Sequence, residues 1–231
     1  MKHAPPQPPA LAEHNGLSYA LFLPEGTPTV GVVILHGAGS AKESHFDFGR
    51  LCRDAGVAAL AFDARGHGRS AGPFGASAID DAVAMCTLLR EHTPRVALRG
   101  SSLGGWMAIH AAAADPEVVA VVATCPAPED LLLRGLRSGD LQGFEVDRPA
   151  LEPLLRQLDL TAAVRRIPAP LLLLHARGDE QVPYTVSEEL HAAAAEPKRL
   201  ILFPGGHHRS LQHDLEVQNL SLRFVEEAAG L

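Results

Sequence analysis

The hydrophobic positions of this chain follow two periodicities. Residues 30–35, 57–62, 96–98, 118–124, 168–174 and 199–203 are short runs, apolar almost throughout. Such runs predict strands covered on both faces. Residues 17–23 alternate weakly and stop at Pro24, which predicts an edge strand. Between these runs, residues 43–55, 77–91, 106–114, 185–195 and 212–228 have helical spacing. Gly56 is placed to cap the first helix, and Ser77 with Asp80 to open the second as a capping pair. Strands of this kind alternating with helices predict an α/β fold: a mostly parallel, twisted sheet with helices on both faces.

One segment breaks the rhythm. Residues 126–167 contain no buried-strand pattern. Leu151, Leu154, Leu155 and Leu158 have helical spacing there, while Gly135, Gly139 and Gly143 interrupt the part before them. Structureless loops of this length are uncommon in compact domains, so residues 127–167 are expected to form a small inserted cap over the strand ends. Residues 1–16 are expected to be a flexible lead-in to a single domain. Their first ten are proline-rich and lack the apolar centre of a signal peptide.

Composition narrows the partners. The 231 residues suffice for one α/β core, and 46% of them are hydrophobic. The net charge is −7 with scattered Lys and Arg, which argues against nucleic acid. No apolar stretch reaches membrane-spanning length, so a soluble, cytoplasmic protein is expected. Cys52, Cys86 and Cys125 are odd in number and far apart, which fits buried thiols in a reducing compartment. Neither they nor His45, His92, His110 and His191 have ligand spacing, so no metal and no cofactor are expected. Oligomeric state has no signature in the chain.

The candidate chemistry begins at Gly100-Ser101-Ser102-Leu103-Gly104, between an apolar run and a small-residue helix. This spacing fits a nucleophile elbow. A strand that reverses abruptly into a helix carries its turn residue at the tip, and glycines two positions either side avoid collision. Ser102 is then the nucleophile, and the Leu103 amide one donor to a developing oxyanion. An incidental serine in a glycine-rich turn would look the same, so the partners decide. In an open parallel sheet they belong just past the carboxyl ends of strands. After residues 30–35 comes His36-Gly37-Ala38-Gly39, whose Ala38 amide is the candidate second donor. After residues 171–174 Asp179 is the first acid, with Glu180 beside it pointing elsewhere. After residues 200–203 comes Pro204-Gly205-Gly206-His207-His208. The chain order Ser, Asp, His is the order of this fold class.

These residues, with Asp63-Ala64-Arg65-Gly66-His67-Gly68-Arg69-Ser70 and Gly178-Asp179-Glu180-Gln181-Val182-Pro183, resemble the α/β-hydrolase family in its serine-esterase-like form. The resemblance spans nearly the whole chain except the N-terminal tail and the cap. It implies an α/β-hydrolase fold and a Ser102–His208–Asp179 triad. The family pattern of Pro-Gly, two variable residues and then histidine selects His208; a Gly-Gly-His reading would select His207 instead. It also implies that Asp63, Arg65 and His67 serve structure, through a carboxylate–guanidinium pair and turn hydrogen bonds.

The expected activity is hydrolysis of a small-molecule ester or thioester through an acyl-enzyme. A peptidase or amidase of the acyl-aminoacyl type is the alternative with the same machinery. A non-catalytic binding protein on the same fold is the alternative from another class. Trp106, Leu131 to Leu133, Leu136 and Phe144 could line an apolar pocket or pack against the sheet.

Overall fold

The computed structural model describes residues 7–231. The first six residues of the expected lead-in lie outside the described residues. Each apolar run becomes a strand; five are covered on both faces, as a two-sided apolar segment requires, whereas the last, at residues 198–203, is a sheet edge and only half-buried. The strands are β1 (Ala10–His14), β2 (Leu17–Phe22), β3 (Gly31–Leu35), β4 (Ala58–Phe62), β5 (Val96–Ser101), β6 (Val118–Thr124), β7 (Leu171–Ala176) and β8 (Lys198–Phe203). They form one sheet in the order β1-β2-β4-β3-β5-β6-β7-β8. β1 and β2 pair antiparallel, β2 runs antiparallel to β4, and β3 to β8 are parallel.

The N-terminal expectation needs correction at β1. Residues 10–14 form a paired edge strand, in register from Ala10 opposite Leu21 to His14 opposite Leu17. Asn15 and Gly16 both have positive φ, 53° and 78°, as a two-residue hairpin turn requires. The first four residues of β1 are exposed, so backbone pairing holds the strand without an apolar signature.

Helices cover both faces. α2 (Ala78–Arg90), α3 (Leu103–Ala114) and α7 (Thr185–Ala193) share one core layer with Leu98, Val121 and Leu173. α1 (Phe46–Asp54), α8 (Ser210–His213) and α9 (Leu215–Ala228) share the other with Ile34, Ala97 and Leu174. Gly56 caps α1 with φ 82°. The expected Ser77–Asp80 capping pair does not form. The Ser77 hydroxyl donates instead to Asp81 Oδ2 at 3.1 Å.

The segment after β6 is helical: α4 (Glu129–Ser138), α5 (Arg148–Gln157) and α6 (Leu160–Val164). Leu132, Leu136, Leu151 and Leu155 bury the inner faces of α4 and α5 in the first core layer. Glu129 pins this segment to the body. Its Oε1 accepts from Trp106 Nε1 at 2.9 Å and lies 2.6 Å from His110 Nε2, and its Oε2 accepts from the Leu160 amide at 3.0 Å. Among the described residues, no helix is long and apolar enough to cross a membrane.

Candidate active site

Ser102 sits where β5 turns into α3, with φ 53° and ψ −115°. For a residue with a Cβ this backbone is strained by about 1–3 kcal/mol, held only because the surroundings over-determine it. The packing explains the two glycines. A Cβ at Gly100 would lie 2.0 Å from the Gly104 carbonyl oxygen, and one at Gly104 2.2 Å from that of Leu35. The neighbouring Ser101 hydroxyl is engaged elsewhere, donating to Gln212 Oε1 at 2.8 Å. Ser102 borders a cavity of about 250 Å³ together with Ala38, His208 and Arg209.

The loop after β3 runs along this cavity. A Cβ built at Gly37 would stand 3.5 Å from Ser102 Cβ, so the loop backbone passes in contact range of the elbow. Neither the Ala38 nor the Leu103 amide donates to a protein acceptor among the described residues. Two histidines fix the loop. His67 Nε2 accepts from the Gly39 amide at 3.1 Å, which leaves Nδ1 to donate to the Arg65 carbonyl at 3.0 Å. His36 Nε2 accepts from the Ala64 amide at 3.0 Å, and its Nδ1 donates to the Gly37 carbonyl at 2.8 Å. Burial pushes His67 down to about 4, so it is neutral at pH 7, as an acceptor must be. The cap reaches this loop through Phe144, which stacks on His67 with ring centroids 3.9 Å apart.

The turn after β4 is structural, with partners not evident from adjacency. Arg65 forms a two-point pair with Asp81, at 2.9 and 3.1 Å. Asp63 holds the buried Lys42 ammonium at 2.6 Å and also accepts from the Lys42 and Arg69 amides.

Asp179 and His208 come together across the loops after β7 and β8. His208 Nδ1 lies 2.7 Å from Asp179 Oδ2. The other carboxylate oxygen accepts from the Gln181 and Val182 amides at 2.9 and 2.8 Å. Burial alone would raise the Asp179 pKa. Hydrogen bonds from His175, His208 and the Val182 amide outweigh it and hold the carboxyl well below the usual carboxylate range. His207 is exposed and does not border the cavity. The structure therefore brings His208, not His207, to the acid. Ser102 and His208 border the same cavity, without a direct hydrogen bond among the described residues. Such contacts often tighten only when substrate is bound.

Several neighbours of these groups were not singled out by sequence. His175, wholly buried, donates through Nε2 to the Val182 carbonyl at 3.0 Å, with Asp179 Oδ2 3.4 Å from the same nitrogen, and accepts from the Ser187 hydroxyl at 2.7 Å through Nδ1. Cys125 approaches Asp179 and His208, with the three ligand-type atoms within 4.8 Å of one another. Burial pushes the Cys125 thiol up, so it stays protonated. A protonated thiol beside a carboxylate already engaged by two imidazoles and two amides makes a poor cation site. The residues considered for an apolar pocket divide between packing and a slot beside the elbow. Trp106 is buried on Glu129, while Leu132 and Phe144 line a narrow apolar slot with Leu103.

Comparison with known proteins follows the same lines. A family model described as serine aminopeptidase, S33, matches residues 26–132. An uncharacterized protein of Mycobacterium tuberculosis is 32% identical over 211 residues, covering 87% of this chain and 71% of its own. The chain belongs to the α/β-hydrolase family. Solved members of this fold superpose closely. A Paleococcus ferrophilus monoacylglycerol lipase matches with TM-score 0.71 and 25% identity, over 93% of this chain and 98% of its own. The esterase domain of a Rhodothermus marinus protein matches with TM-score 0.73 and 26% identity, over 95% and 96%. Family and neighbours together support a hydrolase.

Proposed function

We propose that this α/β-hydrolase is a serine hydrolase that cleaves small carboxylic esters or thioesters through an acyl-enzyme. The observation that carries the reading is the strained Ser102 on a cavity it shares with His208, whose far nitrogen is 2.7 Å from the buried Asp179. In this reading His208 Nε2 takes the Ser102 proton as Oγ attacks the carbonyl carbon. Asp179 fixes the tautomer and stabilises the imidazolium. The Ala38 and Leu103 amides receive the oxyanion, and losing one such donor costs roughly a hundredfold or more in rate. The alcohol or thiol leaves with the proton from His208. Water then attacks the acyl group with His208 again as base, releasing the acid and restoring Ser102.

The lipase and esterase neighbours support ester cleavage. The matching family description favours a second reading with the same machinery, an aminopeptidase-type amide cleavage. Kinetics with 4-nitrophenyl esters of graded acyl length, against aminoacyl 4-nitroanilides, separate the two. The ester reading expects turnover of short esters that vanishes in Ser102→Ala. Turnover of anilides alone would replace it, and full ester activity in Ser102→Ala would end it.

A further inference from the structure

The side chains bordering the cavity at Ser102 carry positive charge without negative, although Glu180 stands just outside them, its Oε2 accepting from the His208 amide at 3.3 Å. No aspartate or glutamate borders the cavity, although the chain as a whole carries a net charge of −7. Arg209 and His213 border it, and neither is in an ion pair with an acid among the described residues. Asp179 is turned away from it, its oxygens consumed by His208, His175 and two amides.

Behind the wall lies a second cation. Arg99 is on β5, two residues before Ser101 and on the same strand face, so about 7 Å away along the strand. Its side chain is 1% exposed, yet no acid pairs with it among the described residues. Its Nη2 lies 3.4 Å from the carbonyl of Gln212, a cavity residue, and its Nε has no partner. The guanidinium packs 4.2 Å over the Phe48 ring. Burial lowers Arg99 to about 10, which leaves it charged at neutral pH. Beside it, His45 is buried with both ring nitrogens unpartnered, and its ring stacks on that of His213. Burial and the neighbouring guanidinium hold His45 neutral. A buried arginine without a counter-ion is costly, and its field is little screened by water. That field reaches the cavity through Ser101, Gln212 and His213.

We propose that this cavity selects esters carrying a carboxylate a few bonds from the scissile carbonyl, such as half-esters of short dicarboxylic acids. Arg209 meets the carboxylate directly at the rim, and Arg99 adds a fixed positive field from behind. The cavity of about 250 Å³ suits an acid of this length better than a long acyl chain. The inference rests on the hydrolase reading above, but it concerns binding, so it can be tested without turnover.

Two measurements separate the claims. The first compares kcat/KM for monomethyl and dimethyl glutarate by pH-stat titration at neutral pH. The half-ester is expected to lead by roughly tenfold or more at low ionic strength. The lead should shrink in about 0.5 M salt, where charges a few ångströms apart are already screened. Arg209→Gln should cut the ratio by roughly fivefold or more, as loss of a charge-assisted contact requires. The second measures binding of the same two compounds to Ser102→Ala by calorimetry, where the half-ester should again bind tighter, and only while Arg209 is present. Equal or better handling of the dimethyl ester in both measurements overturns the anionic selectivity and leaves the hydrolase reading standing. Arg209-dependent binding of the half-ester without cleavage of either it or 4-nitrophenyl esters upholds the selectivity and removes the hydrolase reading. Neither binding nor cleavage of either compound overturns the anionic selectivity, and the hydrolase reading then stands or falls on the 4-nitrophenyl ester assay above.

Discussion

Removing the charge of Asp63 tests how the loop beside Ser102 is held. Lys42 and Asp63 are 1% and 0% exposed at their side chains, with Nζ and Oδ2 2.6 Å apart. The Asp63 carboxylate also accepts the Lys42 amide at 2.8 Å and the Arg69 amide at 2.9 Å, tying the loop after β3 to the turn after β4. Glu43 also reaches Lys42 Nζ at 3.1 Å, but it is half exposed and contributes little. Asp63→Asn therefore leaves a buried ammonium without its counter-ion, a change that costs about 3–5 kcal/mol. For a domain of this size that lowers Tm by about 6–20 °C. Urea and thermal unfolding of the variant and the parent measure both quantities. The double variant Lys42→Met with Asp63→Asn removes both charges and should cost less than the sum of the single changes. The pH dependence has a definite sign. Burial would raise the Asp63 pKa, but the Lys42 ammonium and two amides outweigh it and hold it below its ordinary value. The stability it contributes is present above the ordinary carboxylate pKa of about 4 and is lost as pH falls through the lower folded value. The gap between parent and Asp63→Asn should thus be flat from about pH 6 to 8 and close below about pH 4. A loss under about 1 kcal/mol, the range of a surface pair, would refute the reasoning, as would a gap independent of pH.

Three further outcomes follow from the geometry. His208→Ala should lower ester kcat by roughly three orders of magnitude or more, while His207→Ala stays within about threefold; equal losses would contradict the assignment of the base. Gly100→Ala drives a Cβ to 2.0 Å from the Gly104 carbonyl oxygen. It should cost about 3 kcal/mol or more, read by urea unfolding, and a neutral effect would mean that the elbow is looser than described. Glu129→Ala leaves Trp106 Nε1 and the Leu160 amide without their acceptor. It should cost about 2–3 kcal/mol and speed amide exchange in α4 and α6 before the sheet opens, whereas uniform exchange would deny Glu129 its role as the anchor of the cap.

The parallel part of the sheet was legible because its strands are apolar on both faces, a pattern that depends only on local sequence. β1 was not legible that way: its residues are mostly exposed, and the signal that could have found it is the Asn15-Gly16 turn. Nothing local in the sequence marks Lys42 as buried, because its partner lies 21 positions away on another strand end. Arg65 pairs with Asp81 rather than a neighbouring acid, since the helix α2 brings that carboxylate back to the turn. The candidate nucleophile, acid and base were legible as loop residues past strand ends. His175 was not, because its contact with Asp179 depends on how the loop after β7 folds back on the strand.

The most direct test of the account is labelling with a fluorophosphonate probe followed by peptide mapping. The account predicts a single adduct on Ser102, absent in Ser102→Ala and strongly slowed in His208→Ala. No adduct on the native protein, or an adduct on Ser101, would contradict it.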